Sequence, residues 1–403
     1  MKEYVDELEQ WGADVIFGRA KGVRASLARG LMLGLSGIFR CLVALRIALY
    51  RRGWKRQEFT GVQVIAIGNL TVGGTGKTPV VELLARTLRE RGRNPAILSR
   101  GYKSKRLPRA QQWKSANGRA IPEEKMPKVV STGAAVLLDS KFAGDEPFML
   151  ARNLDGVAVI VDKDRVKGAR FAIRELKSET LLLDDGMQYL DLAHSLDIVL
   201  IDSRSPFGTG ALLPRGTLRE PPKNLRRANY ILITKCDGSS NAELIGRIQK
   251  HNPVAKIIEC AHEPIHLENI YTREQMPLDF LEGKWVGAIS AIAVPENFEK
   301  SLEKLGARVE VKRRFSDHHR FNRRDVDNFM QRCVERDMEL IVTTEKDAVR
   351  FPRPTEIYVP IWFLRIEVRI LSGQECWDEM VENICNPAPI MDAALKNAGS
   401  YRV

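Results

Sequence analysis

Residues 62–81 read VQVIAIGNLTVGGTGKTPVV, and the fold follows from how this stretch is built. The run 62–67 is apolar and β-branched and predicts a buried strand, while Val81, Leu84, Ala85 and Leu88 share one face of a helix that begins at Lys77. Between them lies a glycine-rich turn, Thr71-Val72-Gly73-Gly74-Thr75-Gly76. A strand, a pliable turn and a helix start are what a polyphosphate needs, because backbone N–H groups and the positive helix end converge on the anion. In that arrangement Lys77 lies against the β- and γ-phosphates and the Thr78 hydroxyl serves Mg²⁺. The first glycine of G-x-x-x-x-G-K-[ST] is replaced by Thr71, so the loop departs from the standard pattern at its entrance. A nucleoside triphosphate with Mg²⁺ is the expected ligand of residues 71–78.

The 403 residues leave room for two domains. With 44% hydrophobic and 28% charged residues the chain is of the soluble globular class. A formal charge of +12 calls for an anionic partner: nucleotide, phospholipid surface, phosphorylated substrate or nucleic acid. Nucleic acid is set aside, since neither aromatic stacking platforms nor a helix-turn-helix pattern is found. Six scattered cysteines, without C-x-x-C spacing, read as free thiols in a reducing compartment. The histidines lack ligand spacing, so no metal beyond nucleotide-bound Mg²⁺ is expected.

Residues 19–57 hold ten Lys or Arg and no acid. Arg40 and Arg46 interrupt the apolar run, which argues against a membrane-spanning helix. On a helical wheel Arg29, Arg40 and Arg51 share a stripe with Ser36, and Leu31, Ile38, Leu42, Leu45 and Leu49 lie opposite. That pattern fits a helix in an anionic membrane interface, or a first helix packed on the core. The acidic start of the chain does not resemble a cleavable signal peptide.

Further strands are expected at 95–98, 128–131, 157–161, 180–183 and 197–202. Asp145 and Glu146 begin a helix, where carboxylates either cap or serve as a base. Asp184 and Asp185 follow an apolar strand, the place from which a phosphate-loop site holds Mg²⁺. Arg219, in the glycine- and proline-rich loop 208–221, has the fork that meets a phosphate.

The ordered blocks VGGTGKT, SRGY, GDEP, LDDGxQ, GxGxLLPxGxLREP and TTEKDAV, over about 62–351, resemble the tetraacyldisaccharide 4′-kinases of lipid A synthesis. The resemblance implies a P-loop NTPase-like α/β fold: a parallel sheet covered by helices, a second smaller α/β domain and an N-terminal membrane-associated helix. It implies ATP and Mg²⁺ as cofactors and a lipid disaccharide and an anionic membrane surface as partners, with no obligate protein partner. The implied location is the cytoplasmic face of the bacterial inner membrane, peripheral or monotopic. Among residues, it implies nucleotide binding by Thr71, Val72, Gly73, Gly74, Thr75, Gly76, Lys77 and Thr78, with Thr78, Asp184 and Asp185 serving the metal. Asp145 is the implied catalytic carboxylate, assisted by His318, and Gln188, Arg219 and Glu220 are the implied substrate contacts. His318 has to reach across a cleft to do this; otherwise it is a surface histidine in a basic loop. The chain departs from the family's D-D-G-F-Q-H at Met187 and Tyr189, and from its G-I-G-N-P-x-R-F at 289–298.

The expected division is a basic helical arm at 1–60, a nucleotide-binding kinase domain at 61–262, a smaller α/β domain at 263–386 and a tail at 387–403. The competing class is a membrane-associated P-loop regulatory ATPase or GTPase without lipid kinase activity. It draws on Thr234-Lys235-Cys236-Asp237, which resembles the guanine-reading N-K-x-D of GTPases.

Overall fold

The apolar runs become the middle of one large mixed sheet. The computed structural model describes residues 2–108, 111–114 and 120–387, so the tail expected at 387–403 lies, from 388 on, outside the described residues. The first elements are α1 (Lys2–Ile16), α2 (Val23–Arg51), β1 (Gln63–Asn69), α3 (Lys77–Glu90), β2 (Pro95–Ser99), β3 (Lys128–Thr132), α4 (Ser140–Ala143) and α5 (Asp145–Asn153). They continue with β4 (Ala158–Val161), α6 (Arg165–Glu175), β5 (Thr180–Asp184), β6 (Leu196–Asp202), β7 (Tyr230–Thr234), α7 (Ala242–Gln249), β8 (Lys256–Asn269) and β9 (Gln275–Met276). The last are β10 (Trp285–Ser290), α8 (Pro295–Lys304), β11 (Arg308–Arg314), α9 (Arg323–Val334), β12 (Leu340–Thr344), α10 (Glu345–Ala348), β13 (Ile361–Ser372) and α11 (Gln374–Cys385).

The strand order is β11-β10-β12-β13-β8-β7-β6-β1-β5-β2-β4-β3, with β9 paired to β8. Pairing is parallel within two blocks and antiparallel at β8–β13, β8–β9 and the β3–β4 edge. Helices cover both faces, as parallel strands buried on both sides require. Val80, Leu84 and Leu88 of α3 pack with Leu150 of α5 and Met380 of α11 on one face, and Ala169 and Phe171 of α6 cover the other. In the second block α9 contributes Val326 and Phe329, and α8 Phe298 and Leu302.

The β8–β13 ribbon sets where the site lies. β8 runs across the boundary expected between 262 and 263. Its start pairs with β7 as far as Glu259, and Leu267 near its end faces Leu364 at the start of β13. β12 pairs with β13 over Ile361 to Leu364, ending with Thr344 opposite Leu364. Because β8 and β13 run in opposite directions, the carboxyl ends of the two parallel blocks point at one another along this ribbon. Open α/β sheets bind ligands at carboxyl strand ends. Here two such edges face a single gap, with His262 between them.

The arm differs most from its expectation. α2 continues through Arg40 and Arg46 for 29 residues, with a mean hydropathy of 1.8 over its most apolar window, of which 6% is buried. By length and composition alone the helix is sufficient to cross a membrane, although Arg40 and Arg46 lie within it. The stripe bearing Ser36 turns toward the protein. The Ser36 hydroxyl donates to Leu212 O at 2.9 Å and accepts from Arg215 N at 3.1 Å, Arg29 donates to Val15 O and Ala20 O, and Tyr50 donates to Asp191. Leu27, Leu31, Ile38, Leu42 and Leu45 face outward, each more than half exposed, so a core-packed helix is excluded.

Candidate active site

At the carboxyl end of β1 the chain turns through 71–76 and enters α3 at Lys77. Gly76 is the residue before the helix, with φ 78°, and a Cβ there would sit 2.0 Å from Cε1 of His262. Both the left-handed backbone and the close approach require glycine. The loop is held from outside: Val72 N donates to Thr217 O at 2.7 Å, Arg219 N to Leu70 O at 2.7 Å, and the Thr234 hydroxyl to Thr75 O at 2.8 Å. Thr78 is buried in the first turn of α3. Lys77 Nζ donates to Asn69 Oδ1 at 3.2 Å and lies 3.5 Å from Asp185 Oδ1.

Asp184 ends β5, the strand beside β1, and Asp185 follows it. Asp184 is buried and accepts the Ser99 hydroxyl at 3.0 Å. Burial, then the neighbouring charge of Glu146, pushes its carboxyl up to about 7 against the pull of Lys77. Asp185 has φ 57° and takes a two-pronged contact from Arg219, both prongs at 2.8 Å. Burial raises its pKa, but Arg219 and Lys77 outweigh this and bring it down to about 2. Two adjacent carboxylates thus differ: one readily holds a proton, the other stays ionised.

Asp145 begins α5, behind Gly144 at φ 94°. His318 Nδ1 lies 3.4 Å from Asp145 Oδ2, and the guanidinium groups of Arg350 and Arg320 lie 3.6 and 3.5 Å from the same carboxylate. Burial alone raises the Asp145 pKa; the His318 contact and the two arginines reverse this and hold it below the ordinary carboxylate value. Lys346 Nζ sits 3.3 Å from His318 Nε2. An ammonium only donates, so Nε2 accepts and the ring proton sits on Nδ1, directed at Asp145.

The 71–78 loop, Asp184, Asp185 and Asp145 all belong to the first block, and His318 of the second block reaches Asp145 across the gap. Glu146, next to Asp145, links it to the strand-end acids, since its charge is felt at Asp184. Gln188 joins by donating to Asn69 O at 3.1 Å. Glu220 is placed differently. It is buried with its oxygens taken by Asn224 at 2.6 Å and Arg227 at 2.8 and 2.9 Å, so it anchors the loop that carries Arg219. With Gln188 and Arg219 it lines a cavity of about 340 Å³ against Phe39, Leu42, Val43 and Ile47 of α2.

Sequence reasoning missed Asn69, Ser99, Arg320, Lys346 and Arg350. TTEKDAV held the signal for part of this. Thr344 caps α10, Lys346 reaches His318, and Asp347 binds Arg350 while accepting from Ala291 N at 3.0 Å. Ala291 O in turn accepts from His318 N at 3.2 Å. The departed loop at 289–298 supports His318 through the backbone of Ala291, a role in which side-chain identity matters little. Met187 is buried against Gly68, and the Tyr189 hydroxyl accepts from Arg165 N at 2.9 Å, so these two departures are absorbed by packing.

A family model for tetraacyldisaccharide-1-P 4′-kinase matches residues 28–386. The tetraacyldisaccharide 4′-kinase of Anaeromyxobacter dehalogenans (strain 2CP-C) is 40% identical over 342 residues, covering 84% of this chain and 86% of that protein. The protein of the same name from Syntrophus aciditrophicus (strain SB) is 37% identical over 361 residues, covering 87% and 92%. Among solved structures, the "apo" form of LpxK from Aquifex aeolicus in complex with ATP aligns with a TM-score of 0.68 at 28% identity, covering 89% of this chain and 100% of that one.

Proposed function

The chain belongs to the tetraacyldisaccharide-1-P 4′-kinase family, and from that premise we propose how its own residues move the γ-phosphate of ATP to the 4′-hydroxyl of a tetraacylated glucosamine disaccharide 1-phosphate. It is a phosphotransferase of lipid A biosynthesis with an alcohol as acceptor. The turn 71–76 and the start of α3 bind the phosphates through backbone N–H groups, with Lys77 against the β- and γ-phosphates. Arg219 holds Asp185 ionised and in place. Asp145, also ionised, accepts the proton of the sugar hydroxyl as the phosphoryl group arrives. His318, its proton directed at Asp145 by Lys346, holds that carboxylate in position.

Thr78, Asp184 and Asp185 offer the hydroxyl and carboxylate oxygens preferred by a hard divalent cation, and the buried, unpartnered Thr75 Oγ1 and Gln188 Oε1 fit a polar ligand in this cradle. Mg²⁺, when bound, neutralises charge on the transferring phosphate. Among the described residues no cluster of three or more His, Cys, Asp or Glu exists to cage a metal alone. Mg²⁺ of the phosphoryl-transfer type needs only one or two carboxylates, its other ligands being water and phosphate.

α2 is read as a monotopic anchor in the cytoplasmic face of the inner membrane. Its contacts at Ser36 and Tyr50 fix its second half to the protein body, and the residues before Ser36 rise only about 20 Å, short of a bilayer core of about 30 Å. The exposed leucines then sit in the interface, with arginines toward anionic headgroups. No nucleic acid and no obligate protein partner enters this reading.

The observation that carries the mechanism is the meeting of Asp145 and His318 at the strand ends that also hold the phosphate loop. The test is purified protein with γ-labelled ATP, Mg²⁺ and a monophosphorylated lipid disaccharide in detergent. Label on the lipid supports the reading; hydrolysis of ATP indifferent to lipid, with no labelled lipid, contradicts it.

A further inference from the structure

The loop after β7, Thr234-Lys235-Cys236-Asp237, is fastened to the phosphate loop by two side chains. Thr234, 0% exposed, donates to Thr75 O at 2.8 Å. Lys235, left-handed at φ 58°, donates Nζ to Gly74 O and to the Asp202 carboxylate, so its aliphatic stem runs along the flank of the phosphate loop. Asp237, two residues on, is exposed, with Oδ1 fixed by Ser239 N at 3.0 Å and Ser239 Oγ at 2.6 Å and Oδ2 left open. His262 of β8 presses on Gly76 from behind, its Nε2 buried without a partner. Burial, reinforced by Lys235, takes this histidine down to about 4, so the wall there is neutral.

We propose that this loop reads the base of the nucleotide, with the Lys235 stem against the ring face and the Asp237 carboxylate against its donor edge, and that the enzyme takes guanine nucleotides as phosphoryl donors alongside ATP. The inference rests on residues 71–78 being the triphosphate site. Guanine offers a carboxylate two parallel donors, the ring N1–H and the exocyclic amino group. Adenine offers only its exocyclic amino group, and the smaller pyrimidines end short of the carboxylate. Charge-assisted contacts are the stronger kind, and the open Oδ2 stands where both guanine donors converge. The spacing is that of the guanine-reading N-K-x-D, with Thr234 keeping the tie to the phosphate loop that positions the lysine.

Equilibrium binding of Mg²⁺ complexes of non-hydrolysable GTP, ATP, UTP and XTP analogues to the full chain in detergent tests this. GTP is expected to bind at least as tightly as ATP and about tenfold or more tighter than UTP, the worth of a hydrogen bond to a charged group. Asp237→Asn keeps an acceptor for Ser239, so the loop stays folded, but presents a donor in place of Oδ2. It is expected to weaken GTP by about tenfold and to strengthen XTP, whose 2-oxo group accepts, while ATP changes by less than about threefold. GTP bound no better than UTP, or a GTP-to-XTP ratio unmoved by Asp237→Asn while ATP still binds, overturns the base assignment alone. Failure of every nucleotide to bind overturns it together with the triphosphate site.

Discussion

His318 Nδ1 lies 3.4 Å from Asp145 Oδ2, joining residues 173 positions apart in the chain. The contact is not a chance meeting of surface groups. Arg350, whose side chain is 1% exposed, is gripped by Asp347 and donates to His319 O at 2.8 Å, so the residue that also faces Asp145 is fixed from behind. Ala291, at the end of β10, supports Asp347 and His318 together. The second block thus presents its imidazole and two cations on a braced wall, opposite the phosphate loop.

Gly76→Ala tests the loop geometry. The new methyl group meets His262 and forces a left-handed backbone on a residue with a side chain, costing about 1–2 kcal/mol for conformation alone. ATP affinity is expected to fall by about tenfold or more in a titration by calorimetry. Adding His262→Ala relieves only the collision, so recovery is partial; full recovery in the double variant shows that backbone conformation carries no part.

Arg365 on β13 lies between Glu82 of α3 and Glu345 of α10, all three nearly buried, and thereby ties the helix behind the phosphate loop to the helix that carries Lys346. Arg365→Leu leaves two buried carboxylates facing one another. A loss of about 3–5 kcal/mol in denaturant-unfolding free energy is expected. Glu82→Gln in the same chain restores part of it, and a loss under about 1 kcal/mol in the single variant speaks against this brace.

Asp184 sets a pH dependence. Its folded-state pKa is raised from 3.8 to about 7, so below about 7 a proton occupies the oxygen a cation needs. Apparent affinity for Mg²⁺ with nucleotide is expected to rise with pH up to about 7 and then level off. The sign for stability is the reverse: between 3.8 and about 7 the folded state keeps a proton the unfolded chain releases, so this group's contribution falls as pH rises through that window. Asp184→Asn is expected to flatten the affinity profile; a profile that keeps its slope in the variant assigns it to another group.

Outward leucines of α2 give a membrane test. Leu31→Glu with Ile38→Glu and Leu42→Glu leaves the Ser36 and Tyr50 contacts untouched. Co-sedimentation with anionic phospholipid vesicles is expected to drop at least about tenfold, since each apolar side chain contributes roughly 1.5–3 kcal/mol on burial. Undiminished sedimentation of a folded triple variant removes the interface from this face.

The strand–turn–helix at 63–90, the acids at the end of β5 and the helix start at Asp145 were legible in the sequence because each is a local pattern: a β-branched run, then glycines or acids, then helical spacing. The β8–β13 ribbon was not. β8 is interrupted by Pro264 and carries Glu259, Glu263 and His266 without a regular period, and although Arg365, Glu367 and Arg369 of β13 alternate with Ile366, Val368 and Ile370, the pairing joins segments about a hundred residues apart. The arm's helical wheel was legible but its orientation was not, since the face docked by Ser36 depends on Leu212 and Arg215, far along the chain. Arg350 and Lys346 escaped notice for the same reason: a cation gains its meaning from a partner in another element.

The most direct test is Asp145→Asn, an isosteric change that removes the proton acceptor. Label transfer from γ-labelled ATP to the monophosphorylated lipid disaccharide is measured beside equilibrium ATP binding on the same preparation. Transfer is expected to fall by about 10²–10⁴-fold with ATP affinity within about twofold of the parent. Transfer at the parent rate, with the variant folded and binding ATP, contradicts the assignment of Asp145 as the base.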